Sequence, residues 1–219
     1  MASVNNEIQD AVIEHSTYIE RLKANTVAKL VALLNRTEDD LLDQIRRRAA
    51  RIAERGFDTG PATTERLNAL LANIKSLNAE AYAQISDTLN SDLEDLAKYE
   101  ASWAHTLLTD TIPESIVVQL GVTRPDLRSI YKIVTAKPFE GRLLREALDG
   151  VEANRAALVR DAIRQGLVEG ETIDQITRRL KGTRKAKYAD GLLDRPRREL
   201  QALTRTAVAH TMNTAREAT

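Results

Sequence analysis

Cysteine is absent from this chain, which excludes disulfide staples, thiolate metal sites and cysteine nucleophiles within it. The absence fits synthesis in the cytosol. Aromatic residues are scarce at 4%, against 42% hydrophobic residues overall, so a core has to be built from aliphatic side chains. Neither sign of charge is in excess. The 32 basic and 32 acidic residues cancel, which argues against a generic nucleic-acid coat or membrane-surface protein and leaves any such role to a local patch. No uncharged apolar run approaches the roughly 18 residues that a membrane span needs. The start, Met1 to Glu7, has neither the basic nor the apolar region of a secretory signal.

What the chain does have is helical periodicity. Ile8, Val12, His15, Ile19, Leu22, Thr26, Leu30 and Leu33 recur at steps of three or four and draw one apolar stripe down a helix. His15 and Thr26 place polar atoms in that stripe, as residues that set register or partner choice do. Thr37, followed by Glu38, Asp39 and Asp40, reads as the cap of a second helix, with acids at its positive end. Arg46, Arg47, Arg48 and Arg51 then sit toward the other end and read as solvated, dipole-matched surface.

The run from Gly56 to Pro61 breaks the pattern. A third helix is expected from Thr63 or Thr64, with Leu67, Leu71, Ile74, Leu77, Ala81, Ile85, Leu89, Leu93, Leu96 and Trp103 in step. Forty residues of helix span roughly 60 Å, longer than one small core needs. That length points to an antiparallel hairpin or to coiled-coil association with other copies. From Glu80 to Glu100 six acids (Glu80, Asp87, Asp92, Glu94, Asp95, Glu100) stand against Lys98, a face expected to repel DNA.

Thr111-Ile112-Pro113 closes this helix, and Ile116 to Leu120 is the one run with strand character. Thr123-Arg124-Pro125-Asp126 opens a short helix, and Ala136-Lys137-Pro138 ends it. Leu143, Leu144, Ala147 and Leu148 define one further helix, Gly150 interrupts or bends it, and Leu158 to Leu167 line the next. Thr172-Ile173-Asp174-Gln175 is a capping box whose helix stops at Gly182, and Pro196 suits the first turn of a last helix. The expected class is mainly α with at most minor β structure: long coiled-coil-like helices over residues 1–112, then a small helical domain over 113–219.

No catalytic constellation is visible. His15, His105 and His210 lack a partner at metal-ligand spacing, and His210, near Arg205 and Arg216, reads as a helix-surface or packing histidine hydrogen-bonded to a neighbour. Lys181-Gly182-Thr183 is not a phosphate loop, and the acid pairs Glu169/Glu171 and Asp39/Asp40 read as exposed caps. The expectation is therefore no catalytic, cofactor-binding or metal-ligating residue. The one charge feature is a basic segment. Arg178, Arg179, Lys181, Arg184, Lys185, Lys187, Arg195, Arg197, Arg198 and Arg205 are opposed only by Asp190, Asp194 and Glu199, which leaves it at +7. Such density suits phosphates, without base reading, or an acidic protein partner. Tyr188 is its only aromatic residue, too few for base stacking.

Six short pieces occur in order over the last eighty residues: Pro138-Phe139-Glu140-Gly141 with Leu143-Leu144; Ile163 to Leu167; Gly170-Glu171-Thr172-Ile173; Arg178-Arg179-Leu180-Lys181-Gly182; Asp190-Gly191-Leu192-Leu193; and Arg205-Thr206-Ala207-Val208-Ala209-His210. In this order they resemble the phage Mu F-like minor head protein domain, also called the phage head morphogenesis domain. The resemblance covers about residues 138–216. It implies a structural, non-enzymatic minor head protein of a tailed bacteriophage, made in the host cytoplasm and located in the virion near the portal vertex or inner capsid. It also implies a role in head assembly and in genome packaging or delivery. The implied partners are portal protein, major capsid protein, other copies joined through long helices, and packaged DNA touched non-specifically. Members usually continue past the Arg-Thr…His helix, so a further stretch is expected after Thr219. Two other readings stand beside this one: a nucleic-acid-binding module using residues 178–205, and the N-terminal part of an enzyme or effector whose site lies beyond Thr219.

Overall fold

A computed structural model describes residues 4–53, 60–122, 126–138 and 141–218. The described residues are mainly α, in seven helices: α1 (Val4–Ala53), α2 (Pro61–Thr111), α3 (Glu114–Leu120), α4 (Leu127–Ala136), α5 (Leu144–Val168), α6 (Ile173–Lys181) and α7 (Asp194–Glu217). The break at Gly56 to Thr59, the opening Thr123-Arg124-Pro125, Phe139 and Glu140 of the first resembling piece, and the Arg51 side chain lie outside the described residues.

Three expected boundaries differ. Thr37 caps nothing: α1 is one helix of 50 residues, and the Thr37 hydroxyl donates back to the carbonyls of Leu33 and Leu34 at 3.3 and 2.9 Å. Inside a continuous helix no backbone N–H is left for a cap to satisfy. Gly150 likewise lies within the continuous α5. Its cost of about 1 kcal/mol relative to alanine is offset by burial of Ala147, Leu148 and Val151 around it. Ile116 to Leu120, expected to have strand character, belongs to α3. Pro113 starts that helix, and Gly121 ends it in the left-handed conformation at φ 67°, its N–H donating to Val117 and Val118. End chemistry outweighs the β preference of three branched residues.

Other expected ends hold to within two or three residues. Pro61 opens α2, two residues before the expected Thr63, with Thr63 and Thr64 donating their N–H groups to Gly60. The Asp126 carboxylate caps α4 by accepting from Arg128 N–H at 3.1 Å and Ser129 Oγ at 2.6 Å. These two hydrogen bonds hold its carboxyl below the usual carboxylate range. Thr172 and Gln175 form the capping box of α6.

The chain divides into two compact units. One is Met1–Lys29, Asp87–Glu146 and Leu203–Thr219; the other is Leu30–Ser86 and Ala147–Ala202. Each takes residues from both sides of the expected boundary at 112, and α1, α2, α5 and α7 each contribute to both units.

The unit of Leu30–Ser86 and Ala147–Ala202 has a continuous aliphatic core. Leu41, Leu42 and Ile45 of α1 meet Leu70 and Ile74 of α2, then Val159, Ile163 and Leu167 of α5, Ile176 and Leu180 of α6, and Leu193. Each such side chain stabilises by about 1.5–3 kcal/mol when fully buried. Gly166 lets α6 approach α5 closely, since a Cβ there would lie 2.5 Å from Ile176 Cγ1. Arg155 is also buried in this unit, beside Asn78, and burial pushes its guanidinium below the usual arginine value. Burial likewise pushes the Tyr82 hydroxyl up to about 12.

The other unit packs Ala97 and Ala101 of α2 against Ile130 and Val134 of α4 and Ala215 of α7. Small residues here bring the helices close. A buried polar group then ties three helices together. Glu100 of α2 is fully buried and accepts from His15 Nε2 of α1 and from Arg216 Nε of α7, both at 2.7 Å. The His15 ring stacks on Trp103 at 3.7 Å between centroids, and the Arg216 guanidinium lies 4.8 Å from the same ring. His15 and Thr26 are both buried, as the stripe that they interrupt implies.

Candidate contact surface on the basic loop

Between α6 and α7 the chain makes a short loop whose shape is set by its own residues. The backbone N–H and hydroxyl of Thr183 donate to the two carboxylate oxygens of Asp190, each at 2.7 Å. These bonds, the N–H first, hold the Asp190 carboxyl below the usual range. Tyr188 N–H donates to Thr183 O at 2.9 Å, and Gly191 N–H to Tyr188 O at 3.2 Å. Leu192 and Leu193 then donate to Arg179 O and Leu180 O, both at 3.1 Å, and satisfy carbonyls at the end of α6. Leu193 is buried in the aliphatic core, which anchors the loop's far end.

Two of the resembling pieces meet here. A Cβ on Gly182 (φ 86°) would stand 2.6 Å from Asp190 Oδ1 and from Gly191 N, and a Cβ on Gly191 would collide with the Lys181 carbonyl. Arg178 to Gly182 and Asp190 to Leu193 are therefore the two halves of one tight junction. The loop also holds two consecutive non-glycine residues in the left-handed region, Lys187 at φ 52° and Tyr188 at φ 66°. That conformation costs on the order of 1–2 kcal/mol per residue, and such strain gathers where a loop has a task.

The ten basic residues separate into two sets. Five are engaged within the chain. Arg179 Nη2 lies 3.0 Å from Glu171 and donates to Ala162 O at 2.6 Å. Lys181 pairs with Asp39 at 2.7 Å, Arg195 with Glu199 at 3.0 Å and Arg198 with Asp194 at 2.8 Å. Arg197 reaches the buried Glu38 at 2.8 Å and also Asn35 and Asp194. Glu38 and Asp39, read as acids at the positive end of a helix, thus serve as partners for the basic segment. The other five, Arg178, Arg184, Lys185, Lys187 and Arg205, are exposed. Three of these, Arg184, Lys185 and Lys187, ride on the pinned loop, beside Tyr188 with the Lys181 ammonium 5.6 Å from its ring. Arg205 belongs to the other unit. Among the described residues, the +7 segment thus leaves three cations without an ion pair on a hydrogen-bonded loop, with Arg178 and Arg205 outside it.

The acidic stretch of α2 is also less uniform than its sequence. Glu100 is buried, Asp92 pairs with Lys29 at 2.8 Å and Glu94 with Lys98 at 2.6 Å, so the six acids do not form one DNA-repelling face. Beside them is a groove of about 420 Å³ lined by Tyr18, Leu22, Asn25, Asp95 and Tyr99. Sequence reasoning missed it. The available signal was Tyr99 and Trp103 one helical turn apart, with Tyr18 three residues after His15. A second, smaller cavity of about 140 Å³ is mostly apolar, between Leu93, Val134, Leu143 and Ala207, with His210 at its edge. His210 Nε2 lies 3.1 Å from Lys137 O, a hydrogen bond of the kind expected of a helix-surface or packing histidine. Among the described residues no group of three or more His, Cys, Asp or Glu is placed to hold a metal ion, and no helix is long and apolar enough to cross a membrane. The chain matches no family model, no curated protein and no solved structure.

Proposed function

We propose that this chain is a structural minor head protein of a tailed bacteriophage, acting in head assembly at the portal vertex or inner capsid rather than in catalysis. The observation that carries the reading is the ordered set of six C-terminal pieces, two of which make the tight Gly182–Gly191 junction. The two long helices, of 50 and 51 residues, support it as elements suited to spanning between partners. Exposed apolar side chains support it further: Val12, Ile13, Ile116 and Val118 are available to meet portal or capsid subunits.

The test is composition of particles. In heads purified from cells carrying the parent phage, the protein is expected at a fixed copy number well below that of the major capsid protein, and it should co-purify with the portal when capsids are disrupted. Absence from both heads and portal complexes would overturn the reading.

A further inference from the structure

By sequence, the unit of Met1–Lys29, Asp87–Glu146 and Leu203–Thr219 holds 12 basic and 15 acidic residues, and the other unit 20 basic and 17 acidic. The neutral chain thus hides units of −3 and +3. Among the described residues, each carries a surface with charge that no ion pair matches. On the acidic unit it is the groove of Tyr18, Leu22, Asn25, Asp95 and Tyr99. Both tyrosines are more than two-fifths exposed, at 45% and 41%, with ring centroids 5.0 Å apart. Lys29 and Asp92 at the groove neutralise each other at 2.8 Å, while Asp95 is exposed with no ion pair among the described residues. Tyrosine faces beside an unpaired carboxylate are a site for an ammonium or guanidinium group. On the basic unit the unmatched surface is the loop of Arg184, Lys185 and Lys187.

We propose that copies of this chain associate by seating the loop Arg184–Tyr188 of one copy in the Tyr18–Asp95–Tyr99 groove of another. The occupant's basic side chains lie over the tyrosine rings, and one of them pairs with Asp95. The Thr183–Asp190 bonds set the loop's shape in advance, so little ordering cost falls on association. A nucleic-acid backbone is the competing occupant of the loop. It rewards many cations along a track, whereas the pinned loop offers three, and the matching anionic and aromatic groove lies on the same polypeptide. The inference does not depend on the phage reading.

Sedimentation of the purified full chain tests it. Association should weaken as salt rises, and Asp95→Lys, or Arg184→Glu with Lys185→Glu, should each weaken it about tenfold or more. Mixing the two variants should restore one junction, because the first keeps its loop and the second its groove. Asp95→Asn and Tyr99→Ala serve as milder groove variants, and circular dichroism verifies that each variant is folded. The absence of cysteine allows a direct check. Asn25→Cys and Lys187→Cys proteins, mixed and oxidised, should form a hetero-crosslink that Asn25→Cys mixed with an exposed Glu80→Cys control does not. A chain that stays monomeric at low salt overturns the proposal. So does association that ignores both the groove and the loop variants, or a loop that binds duplex DNA while its substitution leaves self-association unchanged.

Discussion

The two units reach stability by different means. The basic unit is held by an aliphatic core running from Leu41 to Leu193, with Arg155 buried beside Asn78 and with Lys181 and Arg197 paired to Asp39 and Glu38. The acidic unit closes its helices over small residues and spends a buried carboxylate on joining three of them, with Glu100 between His15 and Arg216. It also displays Val12, Ile13, Tyr18, Tyr99, Ile116, Val118, Ile133 and Leu143, whereas among the described residues the basic unit shows only Val168 and Tyr188 as exposed large hydrophobics. An aliphatic core tolerates approximate placement, but a buried charge fixes one arrangement, because misplacing any partner strands the others. Specificity within the acidic unit thus comes from polar geometry, while part of its surface stays apolar.

The largest expected effect is on that polar group. Glu100→Ala leaves His15 and Arg216 without their acceptor and should cost about 3–5 kcal/mol, read as a lower urea midpoint. The contrast sharpens with the triple variant His15→Leu, Glu100→Leu, Arg216→Leu. It should lose far less than Glu100→Ala alone, since no charge is stranded. Equal losses would mean that the network contributes packing and nothing more. In the basic unit Leu180→Ala should cost about 2–5 kcal/mol through the cavity it leaves, read in the same urea series.

Gly191→Ala comes next, at about 1–3 kcal/mol, because the new methyl meets the Lys181 carbonyl. Its effect should also appear as faster tryptic cleavage at Lys185 and Lys187. Smaller again is Thr172→Ala, about 1 kcal/mol for the lost cap, detected as earlier fraying of α6 in amide exchange. The weakest is a pH effect on the loop. The folded Asp190 carboxyl sits below its unfolded value, so its contribution is present above the unfolded value and lost as pH falls through the folded one. The Thr183 amide resonance should follow that titration. Asp190→Asn should abolish the titration and open the loop to trypsin at neutral pH.

Much of the local structure was legible. Pro113, Asp126, Pro138, Thr172 with Gln175, and Gly182 act through neighbours one to four residues away, so their roles survive any tertiary arrangement. Thr37 and Gly150 misled for one reason. Each is a weak local signal to begin or interrupt a helix, and each lies where burial on both sides makes continuation more favourable. The basic segment was legible as a run but not as a surface, because Arg179, Lys181 and Arg197 find acids, Glu171, Asp39 and Glu38, from 8 to about 160 residues away.

By itself, then, the sequence determined an α-helical protein without thiol chemistry, the ends of most helices, and the glycines that its C-terminal junction requires. Those properties depend on residue type and on spacing along the chain. Tertiary structure alone decided that Glu100 is a buried acceptor shared by three helices, that the chain forms two units of opposite net charge each drawn from separate stretches of sequence, and that three of the ten cations lie on one loop without an ion pair among the described residues. Charge carries no sign of its partner in the sequence. Only folding brings distant side chains close enough to cancel or leaves them exposed.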